Sequence, residues 1–299
     1  MQGSLDHLPP RKRAQLAAIV GMIRKGFAKA IANRSTPHLK AGKLLKIILF
    51  GSHARGGWVD NPARGYHSDY DLLIVVDHED LTDVAEFWDK TETEVFDQMS
   101  AAGIRNEVSM IYHSLNALNE NLRFGRYFFV DIAREGIILH DEGGALVTPG
   151  ILPKDIAHAE ALSYFEDWFE SATRFEEMAA DNRTRKWLKE AAFISHQAAE
   201  RYYHCFLLVR TLYSPKSHNL KHLRSLTEQL DPRPIDVWPS ETRAQKRAYA
   251  RLKDAYVKAR YSKHYRISEE ELDWIGERLA ILREAVEVGC PEWLEGLRP

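Results

Sequence analysis

Two short motifs carry residue types suited to phosphate and metal chemistry. The first, Gly51-Ser52, directly follows an apolar run that ends at Phe50. Main-chain amides at a strand-to-helix turn form a nest that binds anions such as phosphate. The second is Asp69-x-Asp71, whose carboxylates face the same side if the segment is extended. Two hard oxygen donors on one side are suitable ligands for Mg²⁺ and leave room for substrate phosphates.

Predicted strands adjoin both motifs. Leu44–Phe50 and Leu72–Val76 are continuous apolar runs, typical of strands buried on both faces. A third strand is predicted at Val108–Tyr112, after a helix over about Leu81–Met99, and Phe128–Ile138 reads as a helix followed by a short extended piece. Either motif alone is an ordinary turn or a solvated strand start. The two motifs occur in this order and each lies beside an apolar strand, which favours a single site that binds both phosphate and metal.

The wider sequence, Gly-Ser-x-Ala-Arg-Gly at 51–56 and Ser-Asp-x-Asp-Leu-Leu at 68–73, resembles the minimal nucleotidyltransferases of the polymerase-beta-like superfamily. The resemblance covers about residues 40–142. It implies that Gly51 and Ser52 hold a nucleoside triphosphate, with ATP expected, and that Asp69 and Asp71 bind two Mg²⁺ (or Mn²⁺) ions. The implied reaction transfers a nucleoside monophosphate to a hydroxyl and releases pyrophosphate.

Three features around this signature keep alternatives open. The resemblance implies a third acidic residue that completes the metal site and deprotonates the acceptor, and either Glu107 or Ser109 occupies that position. Arg55 contacts phosphate or pairs with a nearby carboxylate. The sixteen-residue spacer between the motifs predicts a flap around Trp58–Tyr66, in which Trp58 either stacks on a base or packs onto its own domain.

The second half of the chain contains only helical patterns. They cover about Lys154–Asp181, Thr184–Leu212, Leu220–Gln229, Ser240–Arg260 and Ser268–Val288, and Ser268 with Glu271 forms a capping-box pattern. The segments around residues 191–209, 214–220 and 255–261 resemble a HEPN domain over about residues 155–288. Together the two halves resemble the fused nucleotidyltransferase–HEPN proteins of bacteria.

We therefore expect an α+β chain with two domains. A polymerase-beta-like nucleotidyltransferase α/β domain occupies 1–145, with a helical N-terminal extension at about 9–34. A linker follows at 146–153, and an all-α HEPN-like bundle occupies 154–299. The helical bundle also makes a homodimer an expected state.

The HEPN resemblance implies a second chemistry. Many HEPN proteins are metal-independent ribonucleases that use an arginine and a histidine with four to six residues between them. The nearest match here is Arg260 with His264, which have only three residues between them. Alternatively, both residues only interact with the end of a helix. In toxin–antitoxin pairs that resemble these halves, the transferase modifies a tyrosine beside the HEPN histidine. Tyr265 matches that tyrosine, or else simply packs between helices.

Charge and hydropathy exclude some classes of function. The 299 residues carry 41 basic and 43 acidic side chains, so bulk electrostatics does not favour RNA binding and any RNA site would be a local patch. The sequence has neither an apolar run of membrane-spanning length nor a secretory signal pattern, which predicts a cytoplasmic protein without membrane contacts.

The sequence thus predicts a Mg²⁺-dependent nucleotidyltransferase whose hydroxyl acceptor is a protein tyrosine or a small molecule. Asp69, Asp71 and Glu107 are the expected catalytic residues, and Gly51, Ser52 and Arg55 bind the nucleotide. One alternative is a HEPN ribonuclease of toxin or defence type, regulated by the first half. Another is a nucleotide-binding module without catalysis.

Overall fold

The computed structural model describes residues 4–61, 66–104 and 106–298. The chain divides into two compact units, Met1–Leu152 and Pro153–Pro299. The flap expected around Trp58–Tyr66 extends into residues 62–65, which lie outside the described residues.

The first unit combines helices of different lengths with two sheets. Its elements in chain order are α1 (Pro10–Ala32), α2 (Pro37–Lys40), β1 (Leu44–Phe50), α3 (Gly51–Arg55), β2 (Asp60–Asn61), β3 (Tyr66–His67), β4 (Tyr70–Val76), a 3₁₀ turn (Glu79–Thr82), a π-helical turn (Val84–Trp88), α4 (Asp89–Ala101), β5 (Val108–Ser114), α5 (Leu115–Arg123), α6 (Tyr127–Glu135) and β6 (Ile137–Asp141).

A four-stranded mixed sheet lies at the centre of this unit, in the order β5-β4-β1-β6. Strand β1 runs antiparallel to β4 and β6, whereas β4 and β5 are parallel. One face of β4, including Leu72 and Ile74, packs against α1 residues such as Ile19 and Ile23. Helix α6 lies on the other face, where Phe128 contacts Phe50 edge to face. Burial on both faces explains the continuous apolar runs of β1 and β4.

The segment predicted as a single helix over Leu81–Met99 is divided into three pieces. Asp83 interrupts it, because its carboxylate accepts the Glu86 amide and begins a new turn. The Trp88 indole donates to the Leu81 carbonyl at 2.7 Å, so both sides of the interruption are held together. Helix α5, which the sequence analysis did not predict, follows β5 directly.

The predicted linker at 146–153 packs on the first unit over part of its length. The Gly150 amide donates to the Leu122 carbonyl at 2.8 Å, and the Val147 amide donates to the Asn119 side chain at 3.0 Å. The contact division falls after Leu152, so most of this segment belongs to the first unit.

The described residues of the second unit form only helices and connections. The helices are α7 (Lys154–Thr184), α8 (Leu188–Thr211), α9 (Leu220–Glu228), α10 (Arg243–Tyr261) and α11 (Glu269–Leu297). Helix α8 contacts the other four and forms the centre of the unit. Its Tyr202, Tyr203 and Phe206 are fully buried and belong to the core of the unit.

Helix α11 begins as the sequence predicts and ends later. Ser268 and Glu271 form the capping box, with each side chain accepting the other residue's amide. The helix continues past the predicted end at Val288 to Leu297 and includes Pro291. Within the described ranges, the helices all lack the combination of length and apolarity that a membrane crossing requires.

Candidate functional site

The Gly51-Ser52 motif lies where β1 ends and β4 begins. Phe50, the last residue of β1, pairs with Asp71 on β4. Gly51 follows with a φ of 72°, in the left-handed region that favours glycine, and is buried. The chain can therefore turn from the strand into α3 without a strained side chain, and this turn holds Ser52 next to the start of β4.

Both motif carboxylates are buried at the same sheet edge. Asp69 is 2% exposed and Asp71 is 0% exposed. On β4, Tyr70 and Leu72 face the core formed with α1, so alternation directs Asp71 to the opposite face of the sheet. Buried carboxylates are costly unless they are paired or ligate a cation. Their burial together agrees with the donor set expected for a hard divalent ion.

The register of the parallel pair places the third candidate residues. Asp71 lies opposite Ser109 and Tyr70 lies opposite Val108. The Tyr70 amide also donates to the Glu107 carbonyl at 2.8 Å, which extends the pairing by one position. Glu107 therefore lies beside Asp69, while Ser109 lies beside Asp71. The two candidates from the sequence therefore lie at neighbouring positions of the pairing, and only Glu107 carries a carboxylate.

His53 anchors the first aspartate and was not identified from the sequence. Its ring is fully buried, and Nδ1–H donates to the Asp69 carbonyl at 2.8 Å. Burial, together with the positive charge of Lys12, lowers the pKa of His53 to about 4. The ring is therefore neutral at pH 7, with its proton on Nδ1. A buried histidine in the third position of a Gly-Ser-x motif has no signal in a single sequence.

Trp58 packs onto its own unit. Its ring stacks on His53, with 5.9 Å between centroids and 4° between planes, and the Lys12 Nζ lies 4.5 Å from the indole centroid. Lys12 also pairs with Asp60 at 2.9 Å. Of the two alternatives for Trp58, the structure shows packing within the domain.

Arg55 points toward helix α6. Its guanidinium lies 3.8 Å from the Glu135 carboxylate, and both side chains are partly exposed. The structure therefore shows the carboxylate-pairing alternative for Arg55. Because exposed ion pairs of this kind contribute little to stability, the pair leaves Arg55 able to exchange partners.

The HEPN-type residues proposed from sequence have different environments. Arg260 lies over the Tyr256 ring at 4.5 Å and its Nε donates to the Tyr256 carbonyl at 2.6 Å. His264 is exposed. Tyr265 is 2% exposed, its hydroxyl donates to the Arg251 carbonyl at 2.9 Å, and burial raises its pKa. Tyr265 thus packs between helices, as the alternative stated, and does not present its hydroxyl as an acceptor.

His218 belongs to a polar cluster. Its Nδ1 lies 3.0 Å from both carboxylate oxygens of Glu200. The imidazole stacks on Tyr256 at 4.1 Å, on the same ring that Arg260 covers. Burial raises the pKa of Glu200, and the nearby His218 opposes this shift. A half-exposed histidine oriented by a buried carboxylate is suited to proton transfer.

Two further histidines on α8 border the same carboxylate. His196 Nδ1 lies 3.6 Å from Glu200, and His204 Nε2 lies 4.0 Å from it. Their positions four residues before and after Glu200 place all three on one helix face. Burial lowers the pKa of His196 to about 3 and that of His204 to about 4. Both rings are therefore neutral near pH 7, and His218 is the member of the cluster that reaches solvent.

Comparison with known families gives a match within the second unit. Residues 165–288 match the family model of the HEPN domain. The match includes the Glu200 cluster as well as Arg260, His264 and Tyr265. A search among curated proteins gave no match to the chain. The HEPN domain extends from within α7 to the last part of α11, so it accounts for most of the helical unit.

Proposed function

We propose that this protein is a Mg²⁺-dependent nucleotidyltransferase that moves a nucleoside monophosphate, with AMP expected, from a nucleoside triphosphate to a hydroxyl. The observation that supports this most directly is the meeting of three strand ends at one sheet edge. The end of β1 contributes Gly51-Ser52, the start of β4 contributes Asp69 and Asp71, and the start of β5 contributes Glu107.

The roles of the residues follow from their chemistry. Asp69 and Asp71 are the ligands that would hold Mg²⁺, which supplies charge neutralisation for the phosphate oxygens. Gly51 and Ser52 bind the triphosphate through main-chain amides and a hydroxyl. Glu107 accepts the proton of the acceptor hydroxyl, whose oxygen forms a bond to the α-phosphorus. The bond from that phosphorus to the bridging oxygen breaks, and pyrophosphate leaves.

Transfer is tested by coupled measurements on the purified full chain. The protein is incubated with each of the four nucleoside triphosphates and Mg²⁺, with and without a panel of hydroxyl compounds. Pyrophosphate release and intact protein mass are recorded. We expect pyrophosphate from the wild type and none from Asp69→Asn/Asp71→Asn, while Asp97→Asn on the exposed surface of α4 serves as the matched control. Equal release by the double variant would exclude these carboxylates.

A second candidate function is RNA cleavage by the HEPN domain, with regulation by the first unit. The family match favours it, and Arg260 at the end of α10 has three residues between it and His264 in the following turn. Histidine would transfer a proton and arginine would stabilise the charged phosphate. Cleavage that persists in EDTA and disappears in His264→Ala would support this function. Cleavage that survives in His264→Ala would exclude this pair.

A third alternative is a nucleotide-binding module without catalysis. It predicts Mg²⁺-dependent binding of a nucleoside triphosphate with neither pyrophosphate release nor RNA cleavage. The position of Glu107 beside Asp69 argues for catalysis, because a third acidic residue is available where the acceptor hydroxyl would need a base.

A further inference from the structure

We propose that His38, His78 and Asp80 form a binding site for one divalent transition-metal ion of the zinc class. We call these three residues the His/Asp cluster. His38 lies on the short helix α2, before the sheet begins, whereas His78 and Asp80 follow the end of β4. The fold therefore brings together side chains that are about forty residues apart in sequence.

The distances between the donor atoms suit one shared ion. His38 Nε2 lies 2.9 Å from Asp80 Oδ2, and His78 Nδ1 lies 3.6 Å from the same oxygen. All three donor atoms lie within 4.8 Å of one another. Ligands bound at about 2.1 Å in a tetrahedral arrangement are separated by roughly 3.4 Å. The distances of 2.9 Å and 3.6 Å bracket that value, so an ion fits with small side-chain movements.

The chemical types of the three donor groups determine which class of metal ion the cluster can bind. Two imidazoles and one carboxylate suit zinc, cobalt and nickel ions, whereas Mg²⁺ prefers oxygen donors. The His/Asp cluster is therefore chemically different from the carboxylate pair Asp69 and Asp71. Three protein ligands leave a fourth position for water, and all three side chains are between 44% and 59% exposed, so an ion can enter from solvent.

Local structure holds the cluster in place before any ion binds. The Asp77 amide donates to the Lys43 carbonyl at 3.1 Å, and the Lys43 amide donates to the Asp77 carboxylate at 2.8 Å. These bonds join the two connections that carry the cluster. His78 Nδ1 accepts the Asp80 amide at 3.2 Å, which requires an unprotonated Nδ1. A metal ion would bind through the Nδ1 lone pair, and its binding would break only this long hydrogen bond.

The alternative explanation is that the His38–Asp80 ion pair alone brings the rings together. The two imidazole rings lie 4.4 Å apart between centroids, tilted by 37°. An ion pair between His38 and Asp80 alone does not account for His78, whose Nδ1 lies 3.6 Å from the same carboxylate oxygen. One shared cation accounts for both rings, because both imidazole nitrogens lie close to Asp80 Oδ2.

The site is tested by metal titration of the untagged full chain. We expect Zn²⁺ to bind with one ion per chain by calorimetry, Co²⁺ to give visible absorption bands of a low-coordinate site, and Zn²⁺ to raise Tm through preferential binding to the folded state. The expected result for His38→Ala is an affinity lower by roughly tenfold or more. His158→Ala, on α7, is the matched control and should bind as the wild type does.

The proposal can be tested without measuring any enzymatic activity. Circular dichroism verifies that each variant is folded, and Asp80→Asn provides a second ligand substitution if His38→Ala is not. Absence of Zn²⁺ binding by the wild type would overturn the proposal. Binding that is unchanged in both ligand variants would overturn it as well, since the ion would then lie elsewhere on the chain.

Discussion

Asp71 and Ser109 occupy paired positions on the parallel strands β4 and β5, and this pairing places Glu107 beside Asp69. The pairing determines which polar residue lies beside each aspartate at the start of the two strands. Each aspartate has a different neighbour, a carboxylate in one case and a hydroxyl in the other. A third acidic residue is thereby available to the proposed site, one residue before β5 begins.

Substitution of the two neighbours separates their roles. We expect Glu107→Gln to lower the rate of pyrophosphate release by about a hundredfold, because the acceptor hydroxyl loses its base. Ser109→Ala should change the rate far less, since a hydroxyl at this position is not required for proton removal. Steady-state kinetics with saturating nucleotide measures both. The reverse order of effects would assign the essential position to Ser109.

Arg55 is expected to act on nucleotide binding more than on stability. Arg55→Ala should raise KM for the nucleoside triphosphate, because one cation near the phosphate-binding turn is lost. The free energy of unfolding should fall by less than about 1 kcal/mol, since the pair with Glu135 is exposed. Glu135→Gln provides the control, because it breaks the same pair and keeps the cation. A KM that rises equally in both variants would indicate a structural role.

Tyr265 is expected to be structural. Tyr265→Phe removes the hydrogen bond to the buried side of α10 and should lower the free energy of unfolding by about 1 kcal/mol. Any nucleotide transfer to the protein itself should persist, because the buried hydroxyl is not available as an acceptor. Denaturant titration and intact mass measure the two effects. Loss of self-modification in this variant would instead identify Tyr265 as the acceptor.

Acid should destabilise the protein partly through His53. The pKa of this histidine is about 4 in the folded state and 6.5 in the unfolded reference. The unfolded chain therefore binds a proton first as the pH falls below 6.5, and stability is lost until about pH 4. Between pH 7 and pH 5 this one group accounts for about 2 kcal/mol.

The variant His53→Gln isolates that contribution. Buried histidines such as His196, His204 and His222 shift in the same direction, so the wild type alone does not report on His53. Urea titrations at pH 7 and pH 5 should show a smaller loss of stability in the variant, by about 2 kcal/mol. An equal loss in both proteins would mean that His53 is not held neutral in the folded state.

Much of the framework could be predicted from local patterns. Strands β1 and β4 are buried over their whole length and are mostly apolar, because both faces are covered. The capping residues Ser268 and Glu271 mark the start of α11. Helix α5 was missed although its signals are present. Leu115, Leu118 and Leu122 recur at helical spacing, and the Ser114 hydroxyl accepts the Ala117 amide at 3.2 Å.

The details of the sites depend on tertiary placement and had no local signal. The choice between Glu107 and Ser109 rests on the register of two parallel strands, which a connecting helix sets from a distance. His218 meets Glu200 because the turn after α8 folds back over that helix. The His/Asp cluster likewise joins two separate connections. The spacing of residues along one sequence does not predict contacts between segments that are far apart in the chain.

The most direct test of the central claim is calorimetric titration of the full chain with ATP in the presence and absence of Mg²⁺. We expect the wild type to bind ATP when Mg²⁺ is present. The affinity should fall by roughly tenfold or more in Asp69→Asn/Asp71→Asn, whose Tm confirms folding, and should be unchanged in Asp97→Asn. ATP binding that is independent of both Mg²⁺ and the two aspartates would contradict the proposed site.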